Sequence, residues 1–308
     1  MFISWLSSLP NAVSLGIIWG IMAIGVYITY KILDIADLTV DGSICTGASV
    51  FAVLITAGVP VPVCLLVSFV AGALSGLVTG VLCTFMGIPA ILSGILTQLM
   101  LWSVNLKIMG KANVAIPGRN FAVWISSLFG SMRNLAVLII IVVLLIAALY
   151  WFFGTEFGTT LRSTGNNPAM SRAQGINTDI TKIFGLVLSN GVVAFSGALL
   201  AQYQGFSDVK MGQGAIVIGL AAIIIGDAVA MLLSKNFAVR LVCVIGGGII
   251  YYFVYQTVIF LGLDADLLKM LSAIVVAVFL AVPYWKKKYF KKLKKIAKGK
   301  EEQNNVGA

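Results

Sequence analysis

The composition of this 308-residue chain excludes a soluble globular protein. Hydrophobic residues make up 60% of the sequence and charged residues only 10%, and the mean hydropathy is +1.03. Soluble domains carry roughly 25% charged residues, and one soluble core of this size could not bury so much apolar surface. The net charge of +10 does not indicate a nucleic-acid partner, because nine of the 21 basic residues lie in one tail, Lys286–Lys300, directly after an apolar stretch.

The types of reactive residue narrow the function further. The sequence has no histidine, which excludes His-based catalytic triads and His-ligated zinc or haem. The cysteines lie in apolar stretches without metal-binding spacing, so we interpret them as packing residues. They are Cys45, Cys64, Cys83 and Cys243. We therefore expect no cofactor, and a membrane-embedded enzyme is the least favoured class of function.

The apolar segments predict an all-α, polytopic transmembrane bundle. They are uniform runs of about 20 residues, the length of a spanning helix, whereas barrel strands show short segments of alternating polarity. About nine spans are predicted: Asn11–Ile32, Ile44–Val59, Val61–Met86, Pro89–Ile108, Arg133–Phe153, Thr181–Gln204, Gln213–Leu233, Phe237–Leu261 and Asp266–Val282. Prolines at positions 60 and 62 predict a tight turn between the second and third spans.

Charge predicts the orientation. We divide the chain into a membrane domain, residues 1–283, and a basic tail, residues 284–308. Lysines directly after a span predict a cytoplasmic C-terminus, and an odd number of spans would then place the N-terminus outside. Without the tail, basic residues are balanced between the two sides, so the orientation depends on the tail and on the span count. The N-terminus lacks a basic region before its apolar run, and we recognise no cleavable signal peptide.

Glycines inside the spans predict close helix contacts. Gly72, Gly76 and Gly80 follow one another at intervals of four residues, which places them on one helix face. We interpret this face and the run Gly246–Gly248 as packing surfaces.

Two segments resemble each other weakly and predict an internal repeat, with chance similarity as the alternative. Ala36–Gly47 joins the first two spans, and Ser207–Gly219 joins the sixth and seventh. Each contains an aspartate, a few small or polar residues, and glycines that open an apolar helix. Because an odd number of spans separates the copies, the second copy would be inverted, an arrangement typical of transporters.

Acidic residues within or beside the spans are candidates for the translocation pathway. A helix that begins near Asp41 would present its N-terminal amides to a substrate carboxylate, while Asp37 or Asp41 would meet an ammonium group. The candidate pathway residues are Asp37, Asp41, Gly42, Asp208, Gly212 and Gly214. The alternative is that the acids cap helix starts or lie at the surface, and that Asp227 pairs with Lys235 or Arg240.

A polar segment, Gly154–Lys182, is the longest between two spans. Within it, Asn167 can cap a short helix, Pro168–Gln174, that ends at Gly175. Such a helix would either dock on a partner protein or form part of an ordinary ordered loop.

The same segment resembles a known family. Gly158–Asn177 (GTTLRSTGNNPAMSRAQGIN) is similar to the cytoplasmic signature of ABC-importer permeases of the branched-chain amino acid and ribose type. Val193–Tyr203 (VAFSGALLAQY) resembles the family's next helix, and Asp34–Gly47 resembles its aspartate-and-glycine motif. The resemblance covers about Leu15–Ala281. Tyr30–Gly47 and Leu101–Gly110 are most similar to a subgroup linked to tryptophan and tyrosine uptake.

This resemblance implies a permease subunit in a bacterial cell membrane that moves a small polar solute, an amino acid and by closer likeness an aromatic one. Residues 154–182 would be the coupling loop that contacts a separate ATPase subunit, through Arg162, Asn167, Pro168, Met170, Arg172 and Gly175. Ser171 departs from the family pattern. Further implied partners are an extracytoplasmic binding lipoprotein and a second permease copy. The chain itself has no GxxxxGK[ST] phosphate-binding loop, so it would not be an enzyme.

A second hypothesis is a secondary transporter driven by protons or sodium. The inverted repeat and the acids Asp37, Asp41 and Asp227 favour it. The capped polar segment favours the ATP-driven importer, because an autonomous transporter does not need a docking helix.

Overall fold

The computed structural model describes residues 2–116, 123–126, 131–233 and 236–260, and also residues 270, 273–274, 277–278 and 281. The chain divides into two compact units, Met1–Gly262 and Leu263–Ala308. Most of the predicted ninth span and all of the basic tail lie outside the described residues.

Helices make up nearly all of the described part of the first unit. They are α1 (Phe2–Tyr27), a π-helical segment (Ile28–Ile32), α2 (Val40–Thr56), α3 (Val61–Thr84), α4 (Ala90–Met109), α5 (Ser131–Gly154), α6 (Glu156–Asn166), α7 (Pro168–Ala173), α8 (Thr178–Gln204), α9 (Ala215–Leu233) and α10 (Phe237–Phe260). Two short strands, β1 (Asn113–Ala115) and β2 (Phe206–Asp208), complete it.

These helices confirm the predicted transmembrane bundle. Eight of the nine predicted spans coincide with described helices. Six of the helices are long and apolar enough to cross a membrane, and two more apolar helices, Val40–Thr56 and Ala215–Met231, are shorter. The described part of the chain therefore accounts for at most eight of the nine predicted spans.

The second span shows where sequence boundaries fail. It begins at Val40, four residues before the predicted Ile44, and the N–H group of the preceding residue, Thr39, donates a hydrogen bond to Asp37. The predicted turn after it is confirmed. α2 ends at Thr56, and α3 begins at Val61 with Pro60 in its N-cap position.

α8 is the central helix of the unit, since α1, α2 and α3 all pack on it. The predicted glycine face of α3 is confirmed, because Gly72, Gly76 and Gly80 all face α8. A side chain at Gly76 would overlap the Leu186 carbonyl oxygen. The absence of side chains along this face lets the two backbones approach closely.

A second glycine contact joins α1, α9 and α10. Gly247 lies against Ala222 of α9, and Gly248 lies against Gly16 and Gly20 of α1. The packing prediction is therefore confirmed for these two glycines. Gly246 has open space beside it instead.

The two repeat segments open helices of opposite direction. α2 and α8 both run antiparallel to α3, so α2 and α8 point the same way. α1 runs antiparallel to α8, and α9 runs parallel to α1. α9 therefore points opposite to α2. The contacts that fix these directions are Thr39–Thr79 and Ser43–Ser75 for α2 with α3, Gly72–Ala194 and Gly80–Ile183 for α3 with α8, Gly25–Ser189 and Ile18–Ser196 for α1 with α8, and Met22–Gly219 and Lys31–Asp227 for α1 with α9. The predicted inversion of α9 relative to α2 follows from these contacts.

The two strands form an antiparallel ladder that the sequence did not predict. Asn113 pairs with Asp208, and Ala115 pairs with Phe206. The Ile116 N–H group extends the ladder by donating to the Gly205 carbonyl at 2.7 Å. The ladder joins the segment after α4 to the segment after α8, at the end of the unit opposite α6 and α7.

Candidate functional site

The starts of α2 and α9 meet inside the helical bundle. Asp41, in the first turn of α2, accepts hydrogen bonds from the backbone N–H groups of Gly214 and Ile216, both at 2.9 Å. The first N–H groups of a helix have no partner within the helix, and that end carries partial positive charge. The Asp41 carboxylate therefore caps α9 from a different helix.

The segment before α9 packs tightly against α2. The Cys45 thiol accepts a hydrogen bond from the Gly212 N–H group at 3.1 Å and donates one to the Val209 carbonyl at 3.2 Å. A side chain at Gly212 would overlap the Asp41 carbonyl oxygen, and Gly214 has a φ of +85°, which favours glycine.

Three of the six pathway candidates thus lie together: Asp41, Gly212 and Gly214. Gly42 lies one residue along α2, close to Leu101 of α4. Asp208 lies at the ladder, where it accepts hydrogen bonds from the Lys210 N–H group at 2.6 Å and from the Asn113 side-chain amide at 3.3 Å.

Asp37 occupies a buried polar cluster rather than an open site. Only 3% of its surface is exposed. One carboxylate oxygen accepts from the Thr39 N–H group at 2.9 Å, and the other accepts from the Asn190 side chain at 2.7 Å. Asn190 in turn accepts from the Ser43 hydroxyl at 2.6 Å. Both oxygens of Asp37 are therefore engaged by groups of this chain.

A small cavity lies beside Asp41, between α2, α4 and the segment before α9. Its volume is about 50 Å³, room for one or a few water-sized groups. Polar side chains of Gln98, Asn105 and Gln213 line it together with Trp102. Asn105 is only 1% exposed, and its Oδ1 atom has no hydrogen-bond partner in the described part of the chain.

The sequence reasoning missed this cavity, although a signal was present. Residues 98, 102 and 105 follow intervals of four and three, so they share one helix face within an apolar span. A buried amide oxygen without a partner is unfavourable by about 1–3 kcal/mol. It is therefore a candidate contact for a hydrogen-bond donor from outside the chain.

The polar segment between the fifth and sixth predicted spans forms two helices. The Thr155 side chain accepts from the Gly158 N–H group and caps α6, which was not predicted. α7 begins at Pro168, as predicted, because the Asn167 side chain accepts from the Met170 N–H group at 3.1 Å. It ends one residue before the predicted Gln174.

α7 presents one exposed face. The Met170 side chain is 59% exposed, and Arg172 is also exposed while its Nε atom donates to the Thr178 hydroxyl at 2.8 Å. Ser171 faces inward, and its hydroxyl donates to the Asn167 carbonyl at 3.1 Å. The serine that departs from the family pattern thus lies on the side of α7 that packs against the protein.

All six predicted coupling residues are exposed, and five of them lie on or directly beside α7: Asn167, Pro168, Met170, Arg172 and Gly175. Arg162, the sixth, lies on α6, and its side chain points towards α5 and α10. Its guanidinium carbon is 4.2 Å from the ring centre of Phe237 and 5.2 Å from that of Phe153. Partial burial lowers the pKa of Arg162 from its ordinary value.

Asp227 has a different ionic partner from the two proposed. Its carboxylate lies 2.9 Å from the Lys31 ammonium group, which joins the C-terminal half of α9 to the π-helical segment after α1. Lys235 lies outside the described residues. The sequence pattern could not find this pair, because its members are 196 positions apart.

Comparison with known proteins places the chain in a family. Residues 8–282 match the family described as "Branched-chain amino acid transport system / permease component". The chain is 40% identical over 277 residues to the "Tyrosine transport system permease protein" of Clostridioides difficile, covering 90% of this chain and 91% of that protein. It is 32% identical over 262 residues to the "Uncharacterized protein RP368" of Rickettsia prowazekii, covering 84% and 92%.

A more distant relative is the "Autoinducer 2 import system permease protein LsrC" of Salmonella paratyphi B. It is 25% identical over 202 residues, which are 62% of this chain and 54% of that protein. The family match spans most of the chain and includes the segments in which the resemblance was recognised. This membrane protein therefore belongs to the branched-chain amino acid transport permease family, whose members are transport subunits of ATP-binding cassette systems and not enzymes themselves.

Proposed function

We propose that this chain is the membrane-spanning subunit of an importer for an amino acid, with an aromatic amino acid such as tyrosine as the cargo. The similarity to the tyrosine permease of Clostridioides difficile over nine tenths of both chains carries this proposal. The protein would act in a bacterial cell membrane as two copies, with two ATPase subunits and an extracytoplasmic binding lipoprotein. Residues 1–283 form the permease domain, and the tail, residues 284–308, lies in the cytoplasm.

Coupling to the ATPase runs through α7. A short helix transmits movement only if it is rigid, and α7 is capped at its start by Asn167 and is followed by Gly175 with a φ of +83°. The exposed side chains of Pro168, Met170 and Arg172 supply an apolar contact and one positive charge. Arg172 pairs with a carboxylate of the ATPase, and α6 carries the movement towards α1 and α5.

Arg162 has a different part in this mechanism. It joins α6 to the aromatic rings of α5 and α10, and so it holds the coupling segment to the spans rather than to the ATPase. The family resemblance implied that both arginines contact the ATPase, whereas we assign this contact to Arg172 and the attachment to the spans to Arg162.

Solute passes beside the junction of α2 and α9. Gly42 and Gly212 keep this junction narrow, the positive φ of Gly214 turns the chain into α9, Asp41 holds the start of α9, and Asp208 fixes the segment that leads to it. The small cavity offers the acceptor oxygens of Asn105 and its neighbours to the ammonium group of the solute. Asp37 supports this region from within, because its carboxylate is already bound by Thr39 and Asn190.

The first experiment tests coupling. The permease is reconstituted with an ATPase subunit and a binding protein of an importer for the same cargo, and ATP hydrolysis and co-purification of the ATPase are measured. Arg172→Glu reverses the exposed charge of α7, and we expect at least a tenfold loss of ATPase association or of solute-stimulated hydrolysis. Lys111→Glu, an exposed charge reversal at the opposite end of the bundle, is the matched control and should retain both.

The same preparation tests the alternative. If the purified chain alone moves tyrosine along a proton or sodium gradient and no ATPase co-purifies, the importer proposal fails. The protein would then be an ion-coupled transporter, and Asp41 and Asp227 would be the first residues to examine.

The second experiment tests the pathway. Asn105→Ala removes the unpartnered oxygen, and we expect the solute concentration for half-maximal uptake to rise about tenfold, the effect of one lost hydrogen bond to a charged group. ATPase association should not change. Asn113→Ala, at the exposed ladder, is the matched control, and equal uptake by the two variants would place the solute elsewhere.

A further inference from the structure

A second, larger cavity opens where α1, α6 and α10 meet, at the end of the unit that carries α7. Its volume is about 630 Å³, within the range of small-molecule sites. Three basic side chains, Lys31, Arg162 and Arg240, line it together with one acid, Asp34. Neither the transport pathway nor the exposed face of α7 uses this cavity.

The charges in this cavity are unequally matched. Lys31 is paired with Asp227 at 2.9 Å. Arg162 and Arg240 form no ion pair with any residue that the structure describes. With Lys31 neutralised by Asp227, the two arginines outnumber Asp34, so the cavity has a net attraction for an anion.

The two arginines are held in place by aromatic residues. The Arg162 guanidinium lies 4.2 Å from the ring centre of Phe237, and Arg240 lines the cavity together with Tyr27 and Phe237. A guanidinium group that stacks by its face keeps its N–H edge for hydrogen bonds. Its forked donors match the oxygens of a phosphate group. The side chains are therefore largely ordered before any ligand arrives, which reduces the entropy lost on binding.

We propose that this cavity binds a phosphate group, carried either by the head group of an anionic phospholipid or by a soluble phosphate. The position of the cavity favours the lipid. Lys31 and Arg240 lie at the ends of membrane-spanning helices, and Tyr150 and Trp151, 52% and 75% exposed, end the neighbouring α5. Tyrosine and tryptophan concentrate at the membrane–water interface, and basic pockets between spans at that level bind lipid head groups.

An occupied cavity would join three elements that otherwise meet through few polar contacts. The phosphate would bridge Lys31 of the α1 end, Arg162 of α6 and Arg240 of α10. Because α6 leads directly into α7, the ligand would stiffen the coupling segment and raise coupled transport. This consequence rests on the proposed function, whereas the binding itself does not, and the two are measured separately.

Binding is tested on the purified full-length chain in detergent by native mass spectrometry. Phosphatidylglycerol and phosphatidylcholine are added in turn, and inorganic phosphate is titrated in a separate series. We expect phosphatidylglycerol to be retained in preference to phosphatidylcholine. Arg240→Gln should raise the phosphatidylglycerol concentration for half-occupancy about tenfold, and Arg162→Gln is a second variant in case the first fails to fold. Lys182→Gln, which removes one charge outside the cavity, should bind like the wild type.

The other outcomes separate the sources of phosphate or overturn the proposal. If phosphatidylglycerol is not retained in preference to phosphatidylcholine, but inorganic phosphate binds saturably and its binding depends on Arg240, the site belongs to a soluble phosphate. Equal retention of both lipids with no phosphate binding, or unchanged binding by Arg240→Gln and Arg162→Gln, would show that the cavity is not a phosphate site. ATPase association in the coupling experiment is independent of all these results.

Discussion

The starts of α2 and α9 have similar sequences and opposite directions, yet they are held in different ways. The start of α2 is stabilised by its own segment and by α8: Asp37 binds the Thr39 N–H group and the Asn190 side chain. The start of α9 is stabilised by α2, through Asp41, and its C-terminal half is joined to Lys31 through Asp227. One helix is thus anchored in the buried core, and the other is attached to other helices at its start and within its C-terminal half.

This difference indicates which of the two helices can move. The hydrogen bonds of Asp37 are buried. They could be broken or exposed to water only if the core around α8 also came apart. The hydrogen bonds of Asp41 can be exchanged for bonds to water or to solute at the adjacent cavity. In an alternating-access cycle, we therefore expect the α9 start to separate from α2 while α2 stays with α8.

The largest expected effect comes from filling the narrow contact before α9. Gly212→Ala places a methyl group against the Asp41 carbonyl, and we expect a loss of about 3 kcal/mol of folding free energy through overpacking. Gly214→Ala has open space and loses only about 1 kcal/mol through its positive φ. Thermal unfolding midpoints in detergent compare the two, and equal midpoints would contradict the tight contact.

The second prediction tests the anchored helix. Asp37→Ala leaves the Asn190 amide and the Thr39 N–H group without their acceptor in a buried site, and we expect a loss of about 2 kcal/mol. Asp34→Asn is the control, because Asp34 is exposed and asparagine tolerates its φ of 56°. Chemical unfolding in detergent measures both variants. A stable Asp37→Ala protein would mean that α2 is not anchored in this way.

The third prediction concerns the attached helix. Asp41→Ala removes the cap of α9, and we expect a smaller stability loss of about 1 kcal/mol. Uptake should nevertheless fall more than in Asp37→Ala at matched protein levels, because the junction lies beside the proposed pathway. If Asp41→Ala transported normally, and Asp37→Ala folded well but did not transport, the assignment would be reversed: α2 rather than α9 would be the helix on which transport depends.

The smallest effect is expected in the C-terminal half of α9, at the Lys31–Asp227 pair. The Lys31 side chain is 43% exposed and that of Asp227 is 14% exposed, so solvent screens their attraction. A double-mutant cycle with Lys31→Ala and Asp227→Ala should give a coupling energy of about 0.5 kcal/mol that decreases with added salt. A coupling energy of several kcal/mol would mean that this half of α9 is as firmly anchored as α2.

Much of the fold could be predicted because its signals are local. Apolar runs located eight helices, proline and asparagine located the start of α7, and the four-residue spacing of glycines located the face that packs on α8. Each of these signals acts within one or two helical turns. The same reasoning identified the family segment, in which cap and turn residues lie close together in sequence.

The missing parts depend on partners far apart in the chain. The β1–β2 ladder pairs three-residue segments that carry no strand pattern, and the Lys31–Asp227 pair joins two helices that are far apart in the sequence. The identity of Asp41 predicted a functional acid, but only the structure shows that it caps α9. Asn105 looked like one polar residue in an apolar helix until its unpartnered oxygen was placed in a cavity.

The cap on α9 also constrains how the protein is made. Asp41 is synthesised 173 residues before Gly214, and at about 5–20 residues per second the ribosome reaches Gly214 roughly ten to thirty seconds later. During that interval α2 enters the bilayer with a carboxylate that lacks its final partners. The nascent chain must keep this carboxylate hydrated or held by the insertion machinery until α9 arrives. Membrane insertion of α2 is therefore expected to be completed late, together with α9, rather than in the order of synthesis.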